Sequence, residues 1–210
     1  MKHIVKRAEP LLFAQWKAAH PGATYDRDLS GNDGDAKRAK KVLKDSLLAE
    51  QKYICCYCEC RVSEANSHIE HFRPKDPAQF PHLQLEYNNL LASCTKKPIG
   101  SPDEHCGHKK SNFFSTDLVS PLETDCSDHF TYKMDGTITG VDQRGKVTVE
   151  KLHLDSALLD NQRKNLIDDF LDINDDAALE AEIIAHLDES GPVLREFITM
   201  VDYLHRNGQL

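Results

Sequence analysis

A chain of 210 residues, 40% hydrophobic and 29% charged, is long enough to bury its own core as one domain or two small ones, and its composition is that of an ordinary globular protein. No apolar run approaches the ~20 residues needed to cross a bilayer, and the basic start Met1-Lys2-His3-Ile4 leads into no long apolar stretch, so no membrane role and a cytoplasmic location are expected. The net charge of −8 hides an asymmetry: residues 1–115 carry 18 Lys and Arg against 14 Asp and Glu, and residues 116–210 carry 8 against 20. The first part suits a polyanion; the second suits solvent or a protein partner.

Glu9-Pro10 opens a first helix, because proline's missing amide costs nothing in a first turn. Leu12, Trp16 and Ala19 lie close to one face, and Pro21-Gly22 ends it. Residues 22–34 read as a polar loop through Ser30-Gly31-Asn32-Asp33-Gly34. A longer helix is predicted from about Asp35 to Gln51, with Val42, Leu43, Leu47 and Leu48 as its apolar stripe. Lys37, Arg38, Lys40, Lys41 and Lys44 make its first half basic, either a solvated face or one that meets phosphates. Beyond residue 110, Phe130 to Thr139 reads as a hairpin turning at Asp135-Gly136, and Val147-Thr148-Val149 as another short strand. Three helices follow. Asp155-Ser156 cap the first, with Leu158, Leu159, Leu166, Ile167 and Phe170 on one side. The second runs from about Asp175 to Leu187, and after Ser190-Gly191-Pro192 the third carries Leu194, Phe197, Ile198, Val201 and Leu204.

Six of the seven cysteines fall between Cys55 and Cys106. The odd count and the clustering favour metal ligands over disulfides. A structural Zn²⁺ wants four soft or borderline donors in a tetrahedron. Cys55 and Cys58 have the two-residue spacing that presents both sulfurs to one ion, with Cys56 and Cys60 as rivals in the same turn. Cys94 and Cys106 form the second pair, with Lys96-Lys97-Pro98-Ile99-Gly100-Ser101-Pro102 read as an inserted loop between them. Buried free thiols are the alternative.

Between the two pairs stands His68-Ile69-Glu70-His71. On a strand, alternation puts His68 and Glu70 on one face and His71 on the other. A carboxylate suits a hard ion such as Mg²⁺ or Mn²⁺, and a neutral histidine takes a proton near pH 7. With one metal, these are the parts for phosphodiester hydrolysis.

Cys55 to Cys58, Glu70-His71, Asn89-Leu90 with Cys94 five residues on, and Cys106 with Lys110 four residues on resemble the zinc-containing HNH endonucleases. The wording His68-Ile69-Glu70-His71-Phe72-Arg73-Pro74-Lys75 and His105-Cys106-Gly107-His108-Lys109-Lys110 is similar to the HNH component of Septu-type and retron-associated anti-phage systems. The resemblance implies an α+β fold with a ββα-metal nuclease core, a structural zinc and flanking helices. The chain is read as an N-terminal helical region (1–52), the zinc-containing HNH core (53–115) and a hairpin plus helical, partner-binding region (116–210), with no clean boundary and the loop near 115–126 as the best candidate for one. The resemblance also implies His71 as general base, Glu70 as ligand of a catalytic Mg²⁺ or Mn²⁺, and Asn89 as the residue that orients the base or its loop. Arg73, Lys75, Lys109 and Lys110 are expected to contact nucleic acid, DNA before RNA, and an ATPase, the other Septu component, is the expected partner. The family's last metal ligand directly follows its cysteine, and here that place is Gly107; His108 is the candidate, with His105 and Asn112 as alternatives. Two other readings are a zinc-stabilised binding module without catalysis and an RNase with the same site.

Overall fold

The computed structural model describes residues 1–95 and 100–210, so Lys96 to Ile99 of the expected inserted loop lie outside the described residues. The described chain is a mixed α+β structure in which two small antiparallel sheets sit among helices. Helix α1 (Leu11–Ala19) follows Pro10 and buries Phe13 and Trp16, while Leu12 and Ala19 face outward, so the apolar face is shifted from the expected one. Residues 22–34 are not only loop: Tyr25–Leu29 form a wide, π-type helical turn that buries Tyr25 and Leu29. Helix α2 (Gly34–Glu50) starts at Asp33, whose carboxylate accepts from the amides of Asp35 and Ala36, both at 2.9 Å. Leu43, Leu47 and Leu48 are buried from its predicted stripe, and it packs on α1.

Strand β1 (Ser67–His71) pairs antiparallel with β2 (Leu90–Cys94), His68 opposite Ser93 and Glu70 opposite Leu91. The short helix α3 (Cys106–Lys110) lies against β2. A second hairpin, β3 (Phe130–Tyr132) with β4 (Ile138–Gly140), turns at Gly136 as expected, with φ +84°. The expected strand at Val147-Thr148-Val149 is instead part of helix α4 (Gln143–Leu152). Asp142 caps that helix by accepting from the Gly145 amide at 2.8 Å. Its buried residues Gly145, Thr148, Val149 and Leu152 recur at helical spacing, which overrides the β-branched alternation of three residues. Helices α5 (Ala157–Leu171), capped by Ser156, α6 (Asp176–Leu187) and α7 (Ile198–Arg206) complete the chain. Leu194 and Phe197, assigned to the last helix from sequence, precede it; Phe197 has φ +55° and stands at its N-cap.

The main buried cluster draws on every part of the chain, from Met1, Phe13 and Leu47 through Tyr57, Leu90 and Leu91 to Leu152, Phe170 and Leu204. Glu59 joins its ends. Its carboxylate lies 3.0 Å from the Met1 amino group and accepts from the Thr199 amide of α7 at 3.0 Å. Burial opposes the charge on the amine, but Glu59 holds its pKa up at about 11. Among the described residues no helix is long and apolar enough to cross a membrane.

Candidate active site

After α2 the chain makes a tight knuckle with Lys52, Tyr53 and Glu59 at positive φ. The Cys55 amide donates to the Cys60 carbonyl (2.8 Å) and the Glu59 amide to the Cys55 carbonyl (3.1 Å), which curls Cys55 and Cys58 onto one point. Cys94 arrives at the end of β2 and Cys106 at the start of α3. The four sulfurs are buried and within 4.8 Å of one another. Cys58 and Cys94 are 3.7 Å apart, the edge of a tetrahedron with bonds of about 2.3 Å. Cys56 and Cys60 stand outside this group. Burial pushes the Cys58 and Cys106 thiols up. It acts on Cys55 too, yet hydrogen bonds from Cys106, Cys56, Cys58 and Cys94 hold that thiol well below its ordinary value. Four buried sulfurs converging on one point are a donor set that fits a structural zinc. His105 belongs here as well, with Nδ1 2.7 Å from the Asp103 carbonyl and Nε2 3.5 Å from Cys94 Sγ.

Strand alternation puts His68 and Glu70 on the same face, and their Nε2 and Oε2 atoms meet at 3.2 Å. That face looks onto the first turn of α3. A β-carbon at Gly107 would lie 2.3 Å from Glu70 Oε2 and 2.6 Å from His68 Nε2, so the helix can approach only because this residue is glycine. The Gly107 amide is held by Ser93 Oγ at 3.1 Å. The other Glu70 oxygen, Oε1, is 2.9 Å from Lys110 Nζ and accepts from Tyr57 Oη at 3.1 Å. Burial alone would raise the Glu70 pKa, but the His68 hydrogen bond and the Lys110 charge hold it below the ordinary value. Lys110, expected on a nucleic-acid surface, is buried; its Nζ also donates to the His71 carbonyl at 2.9 Å. Its charge therefore acts on Glu70 and the end of β1.

His71 is buried with its Nε2 donating to the Gln84 carbonyl at 2.9 Å and the Tyr25 ring edge-on, 4.5 Å between centroids. Burial pushes its pKa down to about 4, so the ring is neutral at pH 7 with Nδ1 as the acceptor. Asn89 clamps the loop that supplies Gln84. Its Oδ1 accepts from the Arg73 amide (2.8 Å), and its Nδ2 donates to the Arg73 (2.9 Å) and Leu83 (3.0 Å) carbonyls. Gln84 and Tyr25 were not singled out from sequence, since neither a carbonyl acceptor nor a ring contact leaves a motif.

His68, Glu70, His71, Lys75, His108 and Asn112 all border one cleft of about 330 Å³. The His108 ring stacks at a tilt on His68, 4.6 Å between centroids. Lys75 pairs with Asp26 at 2.5 Å. Arg73 is exposed, with its guanidinium 5.9 Å from the Phe80 ring centre and 5.5 Å from that of Phe114, and Lys109 is exposed on α3. On α2, Lys44 donates to the Glu64 and Ser67 carbonyls at 2.7 Å each and fixes the entry to β1, while Lys37 and Arg38 are exposed.

No protein-family profile matches the chain. Individual proteins do. The chain is 34% identical over 127 residues to Septu protein PtuB of Bacillus thuringiensis, a match that covers 58% of this chain and 44% of that protein. It is 29% identical over 142 residues to a protein described as an HNH endonuclease of retron Vc95 from Vibrio cholerae serotype O1 biovar El Tor, covering 64% and 67%. It is 35% identical over 100 residues to one described likewise for retron Ec83 of Escherichia coli, covering 45% and 37%. The chain thus spans less than half the length of two of these three relatives.

Proposed function

We propose that this chain, a PtuB-like relative of the HNH proteins of Septu and retron defence systems, is a metal-dependent endonuclease that hydrolyses nucleic-acid phosphodiester bonds in anti-phage defence. The observation that carries this reading is the pairing of two adjacent residues at one cleft: Glu70, buried and held ionised, and His71, buried and held neutral. The order β1, β2, α3 around them, tied by the four-cysteine cluster, supports a ββα-metal core with structural Zn²⁺.

In this mechanism Nδ1 of His71 takes a proton from the attacking water, because the Gln84 carbonyl fixes the proton on Nε2. Asn89 keeps that carbonyl in place through the loop it clamps. Lys110 and Tyr57 orient Glu70 from its Oε1 side and leave Oε2 toward the cleft, where Glu70 would hold Mg²⁺ or Mn²⁺. Such an ion supplies Lewis-acid stabilisation of the charge that develops on the phosphate and the leaving oxygen. Lys75 borders the cleft, and the exposed Arg73 and Lys109, chain neighbours of its lining residues Pro74 and His108, join it as cations for the substrate backbone. DNA is the proposed substrate, and a PtuA-type ATPase is the proposed partner, docked on the acidic C-terminal half.

The test compares wild type with His71→Ala, both zinc-loaded and in complex with the ATPase, on plasmid and on total RNA. General-base catalysis typically supplies ~100- to 10,000-fold, and cleavage of plasmid should fall by about that much with zinc content and melting unchanged. Wild-type cleavage by a folded His71→Ala would reject the assignment, and cleavage of RNA alone would move the substrate to RNA.

A further inference from the structure

We infer that His68, on β1, is the second protein ligand of the ion held by Glu70, in place of a side chain from α3. This rests on the metal-dependent reading above and adds a residue to it. Three observations converge on His68. First, its Nε2 lies 3.2 Å from Glu70 Oε2. Two donors bonded to one ion at about 2.2 Å and at right angles are roughly 3.1 Å apart, so the pair has the spacing of neighbouring ligands.

Second, the space that a side chain at position 107 would enter is already occupied by these two atoms, 2.3 and 2.6 Å from the absent β-carbon. The helix therefore contributes no donor at 107, and a strand imidazole stands in the same volume. The departure at Gly107 is thus matched by a residue two positions before Glu70, on the face that alternation gives it.

Third, among the described residues the one hydrogen-bond partner of the His68 ring is Glu70. The remaining candidates are used differently. His105 faces Cys94. His108 stacks on the His68 ring and so fixes its plane. Asn112 is exposed at the rim of the cleft.

An imidazole beside a carboxylate also changes which ion the site prefers. Oxygen-only sites suit Mg²⁺, whereas a nitrogen donor favours Mn²⁺ and the later transition ions. The inferred pair should therefore bind Mn²⁺ more tightly than Mg²⁺, with waters in the remaining positions.

The experiment is Mn²⁺ titration by calorimetry and by electron paramagnetic resonance of the zinc-loaded full chain. It uses wild type, Glu70→Gln, His68→Ala and His108→Ala, each checked for zinc content and melting temperature. The expected result is Mn²⁺ binding by wild type, its loss in Glu70→Gln, and at least tenfold weaker binding in His68→Ala with a smaller change in His108→Ala. His68→Gln serves as the second variant should His68→Ala fail to fold. Wild-type Mn²⁺ affinity in folded His68→Ala or His68→Gln, with Glu70→Gln still defective, overturns the inference and leaves the nuclease reading intact. A loss in His108→Ala as large as that in His68→Ala overturns it too. Absence of Mn²⁺ binding by wild type overturns both the inference and the metal-dependent reading.

Discussion

Gly107 and Lys110 set the surroundings of Glu70 from opposite sides, one by leaving room for its Oε2 and the other by pairing with its Oε1. Gly107→Ala would press a methyl group onto a carboxylate that Lys110 and Tyr57 already hold from its other side. Overpacking of this kind costs about 1–3 kcal/mol. A urea melt should report it, and cleavage should drop because Glu70 must shift. Lys110→Met removes the buried cation and leaves Glu70 with Tyr57 and His68 alone. Breaking a buried ion pair costs about 3–5 kcal/mol, and unfolding in denaturant should show a loss of that order. The pairing of His68 with Glu70 was legible from strand alternation alone, and the cysteine quartet from its spacing. The interior position of Lys110 was not, since lysine is mostly a surface residue and its contact with Glu70 spans 40 positions of sequence. The hold on His71 was equally hidden, because its partner is the backbone of Gln84.

Among the elements, the long amphipathic helices and the hairpin at Asp135-Gly136 were readable, and the shorter helical pieces were harder to read. Leu43, Leu47 and Leu48 of α2 and Leu159, Ile167 and Phe170 of α5 repeat at helical spacing over many turns, and all are buried. In α4 the triplet Val147-Thr148-Val149 fits either period, and the helix goes with the longer spacing of Gly145, Thr148, Val149 and Leu152 and with the Asp142 cap. Helix α3 has only five residues, too few to be stable alone. It is held by Cys106 at one end and Lys110 at the other. Helix α6 supplies a pH-dependent contact. Burial holds the His186 pKa below its ordinary value, and the ring sits on the Glu196 carbonyl at 2.9 Å. Below about pH 6.5 the unfolded chain protonates this imidazole while the folded chain resists. The unfolded state then binds more protons, so stability falls as pH drops through that window. His186→Gln keeps a donor for the carbonyl and should flatten the slope of melting temperature against pH between about 7 and 5.

For the molecule as a whole, the charge asymmetry read from sequence does not mark a seam in the packing. The buried cluster takes Leu47 and Leu91 from the first part and Phe170, Val201 and Leu204 from the last. Removing the chain beyond residue 150 would strip that cluster, so the acidic half is better tested as a partner surface by reversing exposed charges such as Glu180 and Glu189 in the intact chain. Contacts of this range are invisible to local pattern: Glu59 reaches Thr199 across 140 positions. The same contact makes the residue next to Cys58 a wire between the cysteine knuckle and α7, an element without a sulfur ligand. With zinc at the four sulfurs as proposed, stripping it with a chelator should therefore speed deuterium uptake by the amides of Ile198–Arg206 as well as by the knuckle. Unchanged exchange in α7 after zinc loss would show that the two ends breathe independently. If they breathe together, a molecule docked on the C-terminal helices could be sensed at the cysteine cluster through nothing longer than one glutamate side chain.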